Sequence, residues 1–154
     1  MELIPYKEFG KLRLKPFLAK DADVDEMEDT EWMGGVWISE MVGITAFRRL
    51  ETTPNEMGGL EIVFSEISEK ETLAILNAIR LPLRPDMTLE EVRLVLGEPE
   101  KIEVLRTVEW KNYEFTIGSQ YPYYLSCSIY NTGGMMGLEV IRKDMLSRIE
   151  ADKG

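Results

Sequence analysis

Toward the end of the chain apolar side chains fall on alternate residues, as in Leu125-Ser126-Cys127-Ser128-Ile129 and Leu138-Glu139-Val140. Successive side chains of a strand point to opposite faces of a sheet, so this spacing commits the region to strands with one buried side. Two hairpins follow from it. A two-residue turn at Lys111-Asn112 sets Trp110 across from Tyr113 and Val108 across from Phe115. A four-residue loop, Asn131-Thr132-Gly133-Gly134, sets Ile129 against Met136, Cys127 against Leu138 and Leu125 against Val140, which gathers these apolar side chains on one face. The expectation after Pro99 is a four-stranded antiparallel meander.

Helices are announced just ahead of it. Ser68 and Glu71 have the spacing of a capping box, in which each side chain accepts a backbone N–H at the other position, opening a helix over 69–79 with Leu73, Leu76 and Ile79 on its core side. Pro82 and Pro85 prevent its continuation. Thr88 and Glu91 make a second box, Met87 and Val92 stand at the hydrophobic-staple positions, and Gly97 with Pro99 supplies the stop of a helix over Leu89–Leu96. Strand-like segments precede them at Glu2–Tyr6, Lys11–Leu18, Val36–Phe47 and Gly59–Phe64, with a loop at Thr53–Gly59. The fold class expected is α+β in a single domain over 1–154: a mainly antiparallel sheet, helices near 69–79 and 89–96, and a short C-terminal helix from Asp144.

Histidine does not occur, which excludes Ser-His-Asp and Cys-His catalysis and His-Glu-x-x-His zinc sites. Cys127 is the single cysteine, so four-thiolate zinc sites and intramolecular disulfides are excluded too; its place among alternating apolar residues predicts a buried, inert thiol. The start of the chain, Met1–Lys7, has neither a basic nor a continuous apolar region, and no run approaches the ~18 apolar residues of a membrane span. A cytoplasmic protein without membrane contact is expected.

The 28 acidic and 18 basic residues leave a charge of −10, with no basic stripe to track a polyanion, so nucleic acid is not the expected partner. A basic protein is the natural one. Asp21–Glu31 carries seven acids and no base and reads as an exposed loop. Its Asp21-x-Asp23-x-Asp25 start suits calcium, but the sixth position is Glu26 rather than Gly and the twelfth is Trp32 rather than Glu, so no metal site is assigned. Gly34-Gly35 and Gly133-Gly134 lack the surroundings of a phosphate loop and read as turns; no cofactor motif is present. The candidate partner-binding residues are Asp23, Asp25, Glu26 and Asp29 for steering, with Trp32 and Trp37 as apolar anchors, because large aromatics ringed by polar groups dominate binding energy.

The run from Pro85-Asp86-Met87-Thr88 to Leu96-Gly97-Glu98-Pro99 resembles the Gly-Met-Thr-x-x-x-Val-x-x-x-Leu-Gly-x-Pro segment of the small outer-membrane assembly lipoproteins, which share a helix-plus-meander module with the β-lactamase inhibitor protein. The likeness spans Pro85–Ile141, a little over one third of the chain, and Asp86 stands where that segment carries Gly. It implies a scaffold used for protein binding. With neither a signal peptide nor a lipobox cysteine recognised, the lipoprotein role and its localisation are not expected to carry over, and no functional residue transfers with the likeness. Two classes of function stay open: a non-enzymatic protein-binding module, in its sharpest form an acidic inhibitor or immunity-type protein against a basic toxin, and a histidine-free enzyme using carboxylates or Mg²⁺. A small-ligand carrier or structural subunit is not separable from the first by sequence, and neither is oligomeric state.

Overall fold

Proline cannot donate a backbone hydrogen bond but suits the entrance of a helix, and in the computed structural model of this chain Pro5 is the N-cap of α1 (Tyr6–Lys11). The structure describes residues 1–19, 30–33, 36–48, 56–104, 106 and 109–146, with the backbone alone at 32, 33 and 36. Glu2–Tyr6 and Lys11–Leu18 are therefore not strands: the first leads into α1, and the second closes α1 and enters a 3₁₀ turn, Lys15–Phe17, around Pro16. Short apolar runs do not distinguish strand from buried helix, and here proline decided.

The strands are β1 (Glu31–Met33), β2 (Val36–Met41), β3 (Ile44–Arg48), β4 (Met57–Val63), β5 (Lys101–Val104), β6 (Trp110–Ile117), β7 (Tyr123–Tyr130) and β8 (Met135–Arg142). They form one eight-stranded sheet in the order β1-β2-β3-β4-β8-β7-β6-β5, antiparallel at every described pairing. The class is α+β with sheet predominating, as expected. Val36–Phe47 splits into β2 and β3 at Gly43, whose φ of +80° suits the turn. Met57, Gly58 and Gly59 belong to β4 rather than to a loop, because residues 59–63 pair with 137–141 of β8. Two meanders, β1–β4 and β5–β8, meet along that seam.

Both capping boxes form. Glu71 N–H donates to Ser68 Oγ at 3.1 Å and Ser68 N–H to Glu71 Oε1 at 3.1 Å, opening α2 (Glu69–Ala78). Glu91 N–H donates to Thr88 Oγ1 at 3.2 Å and Thr88 N–H to Glu91 Oε1 at 3.3 Å, opening α3 (Leu89–Leu96). Ile79 caps α2, whose core side is Thr72, Ile75 and Leu76, with Leu73 half-buried. Met87 and Val92 are buried, and Gly97 ends α3 at φ +85°.

One side of the sheet carries the core: Leu60 and Ile62 of β4, Leu138 and Val140 of β8, Leu125 and Cys127 of β7, and Phe115 of β6 are all buried, together with Phe9, Ile75, Leu76 and Val92 from the helices. The second hairpin holds its expected register at Leu125↔Val140 and Cys127↔Leu138. A bulge between Ser128 and Ile129 then brings Met135, not Met136, opposite Ile129; Met135 is buried and Met136 half-exposed. The first hairpin is corrected more deeply. Lys111 and Asn112 lie inside β6, which is continuous from Trp110 to Ile117, so Trp110 and Tyr113 point to opposite faces; Val108 lies outside the described residues. A helical turn covers 143–146, and the remainder of the expected C-terminal helix lies outside the described residues.

The start of the chain is clasped to the far end of the sheet. Tyr123 O–H donates to Ile4 O at 2.7 Å, Tyr6 O–H donates to Pro122 O, and Glu2 accepts from Ser119 N–H and Oγ at 2.7 and 2.9 Å. Arg142 lies over the Tyr6 ring, 4.7 Å from its centroid, and pairs with Glu56 at 2.6 Å and Asp144 at 2.7 Å. Among the described residues no helix is long and apolar enough to cross a membrane.

Candidate functional site

Because side chains alternate, the residues between the core positions emerge on the other side of the sheet. These are Glu61 and Val63 of β4, Glu139 of β8, Tyr124, Ser126 and Ser128 of β7, Trp110, Asn112, Glu114 and Thr116 of β6, and Lys101 and Glu103 of β5. At one end of this side Ile141 and Met145 pack with Ile38, Phe47, Tyr124 and Leu146, so the turn at 143–146 covers part of it. From β4 to β5 no described helix or turn covers it. There it holds a groove of about 540 Å³, bounded by Glu61 on β4 and Glu103 on β5 with Trp110 and Tyr124 between. A flat sheet offers no such hollow; the twist and coil of an antiparallel sheet make it a trough.

The polar groups in the trough are held by their neighbours. Ser128 Oγ donates to Asn112 Oδ1 at 2.7 Å, and Asn112 Nδ2 donates to Glu103 Oε1 at 3.1 Å, so one chain of hydrogen bonds crosses β7, β6 and β5 and aims the Glu103 carboxylate. Thr116 Oγ1 likewise donates to Glu100 Oε2 at 3.1 Å. Glu114 Oε2 is shielded from solvent without a hydrogen-bond partner, and the Lys101 ammonium at 3.7 Å supplies charge but lies too far for a hydrogen bond. Burial raises the phenol of Tyr124, with Ser126 partly offsetting this and Glu114 raising it again, so Tyr124 is a neutral hydroxyl at physiological pH.

Glu61, Glu103 and Glu139 line the trough, and no lysine or arginine does among its described lining residues. Glu61 and Glu139 stand directly opposite each other across the β4–β8 pair, with Glu103 farther along the trough on β5, beyond β7 and β6, and among the described residues no group of three Asp, Glu, Cys or His could hold a metal ion. The Glu2 carboxyl, through Ser119, and the Glu91 carboxyl, through the Thr88 N–H and then Arg84, are held below the ordinary range; both belong to structural contacts outside the trough. The arrangement is a charged, aromatic, pre-set surface.

The residues singled out from sequence lie elsewhere. Asp23, Asp25, Glu26 and Asp29, the Asp21–Asp25 start and Gly34-Gly35 lie outside the described residues. Trp32 of β1 stands opposite Trp37 of β2 at the far edge from β5, and Trp37 is half-buried on the helix-facing side, by its register with Arg48. Gly133-Gly134 is a turn, and a Cβ on Gly134 would come within 2.2 Å of Asp86 O, so the loop is packed against 85–87. Cys127 is fully buried, and burial pushes its thiol up to about 12, which removes the thiolate needed for reactivity. Trp110, Asn112 and Glu103 do not stand out together in the sequence, because a turn at Lys111-Asn112 would break the strand that brings them to one side. The signal was available in Trp110-x-Asn112-x-Glu114-x-Thr116, an alternation of polar groups behind one aromatic.

Comparison of the chain with protein-family models, with curated proteins and with solved structures finds no match.

Proposed function

We propose that this chain is a non-enzymatic protein-binding module that receives a basic protein on the trough of its sheet. The observation that carries the reading is the trough itself: three carboxylates, that of Glu103 pre-aimed by cross-strand hydrogen bonds, Trp110 and Tyr124 beside them, and no cation on its described lining. Pre-set side chains bind without losing rotamer freedom, and aromatics rimmed by polar groups are where binding energy concentrates. The net charge of −10 and the acidic run Asp21–Glu31 add attraction at a distance, which governs association rate more than final affinity.

The likeness of Pro85–Ile141 to a protein-binding scaffold points the same way, and Asp86, which replaces its Gly, stands at φ +64°, a conformation that favours glycine. Inhibition of a basic toxin or nuclease in the cytoplasm, in the manner of an immunity protein, is the sharpest form of the proposal. The test is affinity capture from the native host followed by titration of the recovered partner against Trp110→Ala and against Glu61→Gln/Glu103→Gln/Glu139→Gln. Trp110→Ala should weaken binding by roughly 30-fold or more. The triple variant should slow association and flatten its salt dependence. A partner whose affinity and on-rate both ignore these changes would place binding elsewhere and overturn the assignment of the trough.

A further inference from the structure

Of the seven large apolar side chains exposed among the described residues, four fall between positions 94 and 104: Leu94 and Val95 on α3, then Ile102 and Val104 on β5, the latter two 45% and 70% exposed. β5 is also the last strand of the sheet, pairing with β6 alone among the described strands, and all four of its residues are exposed. An edge strand presents a row of backbone donors and acceptors that another strand can take up. Charge selects which strand.

We infer that β5 is a homodimer edge, pairing antiparallel with β5 of a second copy about a two-fold axis through Ile102. An axis perpendicular to the sheet keeps both helix-bearing sides together and requires a residue to face itself across the junction. Centring on Lys101 or on Glu103 places like charges directly opposite, which is destabilising. Centring on Ile102 sets Lys101 of each copy opposite Glu103 of the other on the trough side, and Ile102 against Ile102 on the helix side, with Val104 reaching it diagonally. Within one chain Lys101 already lies 3.7 Å from Glu114, and Glu103 accepts from Asn112 at 3.1 Å. The junction thus completes a ladder, Glu114, Lys101, Glu103 of the second copy, Asn112 of the second copy, in which opposite charges are neighbours.

Sedimentation equilibrium of the full chain at roughly 100 μM, with no other protein present, tests the inference. A dimer is expected. Lys101→Glu and Glu103→Lys should each weaken it, by roughly tenfold, since each turns two attractive cross-strand pairs into repulsive ones. The double variant Lys101→Glu/Glu103→Lys should restore it, and Ile102→Lys should abolish it. These side chains are exposed, so thermal unfolding by circular dichroism should show every variant folded. A wild-type monomer at this concentration, or a dimer indifferent to the single charge reversals, would overturn the inference.

Discussion

Arg80 is held at φ +64° just beyond Ile79, the cap of α2, where its N–H donates to Asn77 O at 3.1 Å and Leu81 N–H reaches back to Leu76 O at 2.9 Å. This is a Schellman closure, with buried Leu81 and Leu76 as its apolar contact, and glycine is the residue it favours. An L side chain in that conformation costs about 1–2 kcal/mol, partly offset because glycine gains freedom in the unfolded chain. Arg80→Gly should therefore stabilise by about 1 kcal/mol in urea unfolding. A second residue-scale prediction concerns acid. Thr88 N–H and Arg84, whose Nη2 lies 2.5 Å from Glu91 Oε2, hold the Glu91 carboxyl below its ordinary range. A carboxyl depressed by folding contributes stability above its unfolded pKa and loses it as pH falls through the folded one, so Glu91→Gln should make the loss of stability below about pH 5 less steep. The capping boxes were legible in the letters because both partners lie three residues apart. The strained backbone at Arg80 and Asp86 was not, since glycine, its usual sign, occurs at neither.

The β7–β8 hairpin was the element most fully legible: its apolar alternation has one buried side, and that side fixes the register. Leu138 is buried against Cys127 in β7 and Ile62 in β4, so Leu138→Ala should destabilise by roughly 2–5 kcal/mol, through lost burial and a residual cavity, as read by denaturant titration. A loss under about 0.5 kcal/mol would contradict this packing. β6 was misread because aromatics stand on both of its sides, Trp110 toward the trough and Tyr113 and Phe115 toward the helices, so apolar content alone does not report which side is inward. The same limit applied at the start of the chain, where the aromatics of α1 pack on Tyr123, with the Tyr6 and Phe9 rings 5.3 and 5.2 Å from it. That contact spans most of the sequence and leaves no local pattern.

Strand order across the whole sheet was not legible. Residues 59–63 and 137–141 carry nothing that names each other beyond small residues at the contact, Gly59 and Gly137, and a Cβ on Gly137 would meet Ile62 O at 2.6 Å. Each meander is built from neighbours in sequence, whereas β4 and β8 must find one another across two helices and three strands. Local hairpins close in microseconds, and pairing of distant segments carries the larger loop-closure entropy. The joining of the halves is therefore where the folding barrier should lie. Ile62→Val, a loss of about 1 kcal/mol, should appear mainly as slower refolding in stopped-flow traces. If it changed only the unfolding rate, the two halves would be meeting after the barrier, and β4 and β8 would be the last strands to lock.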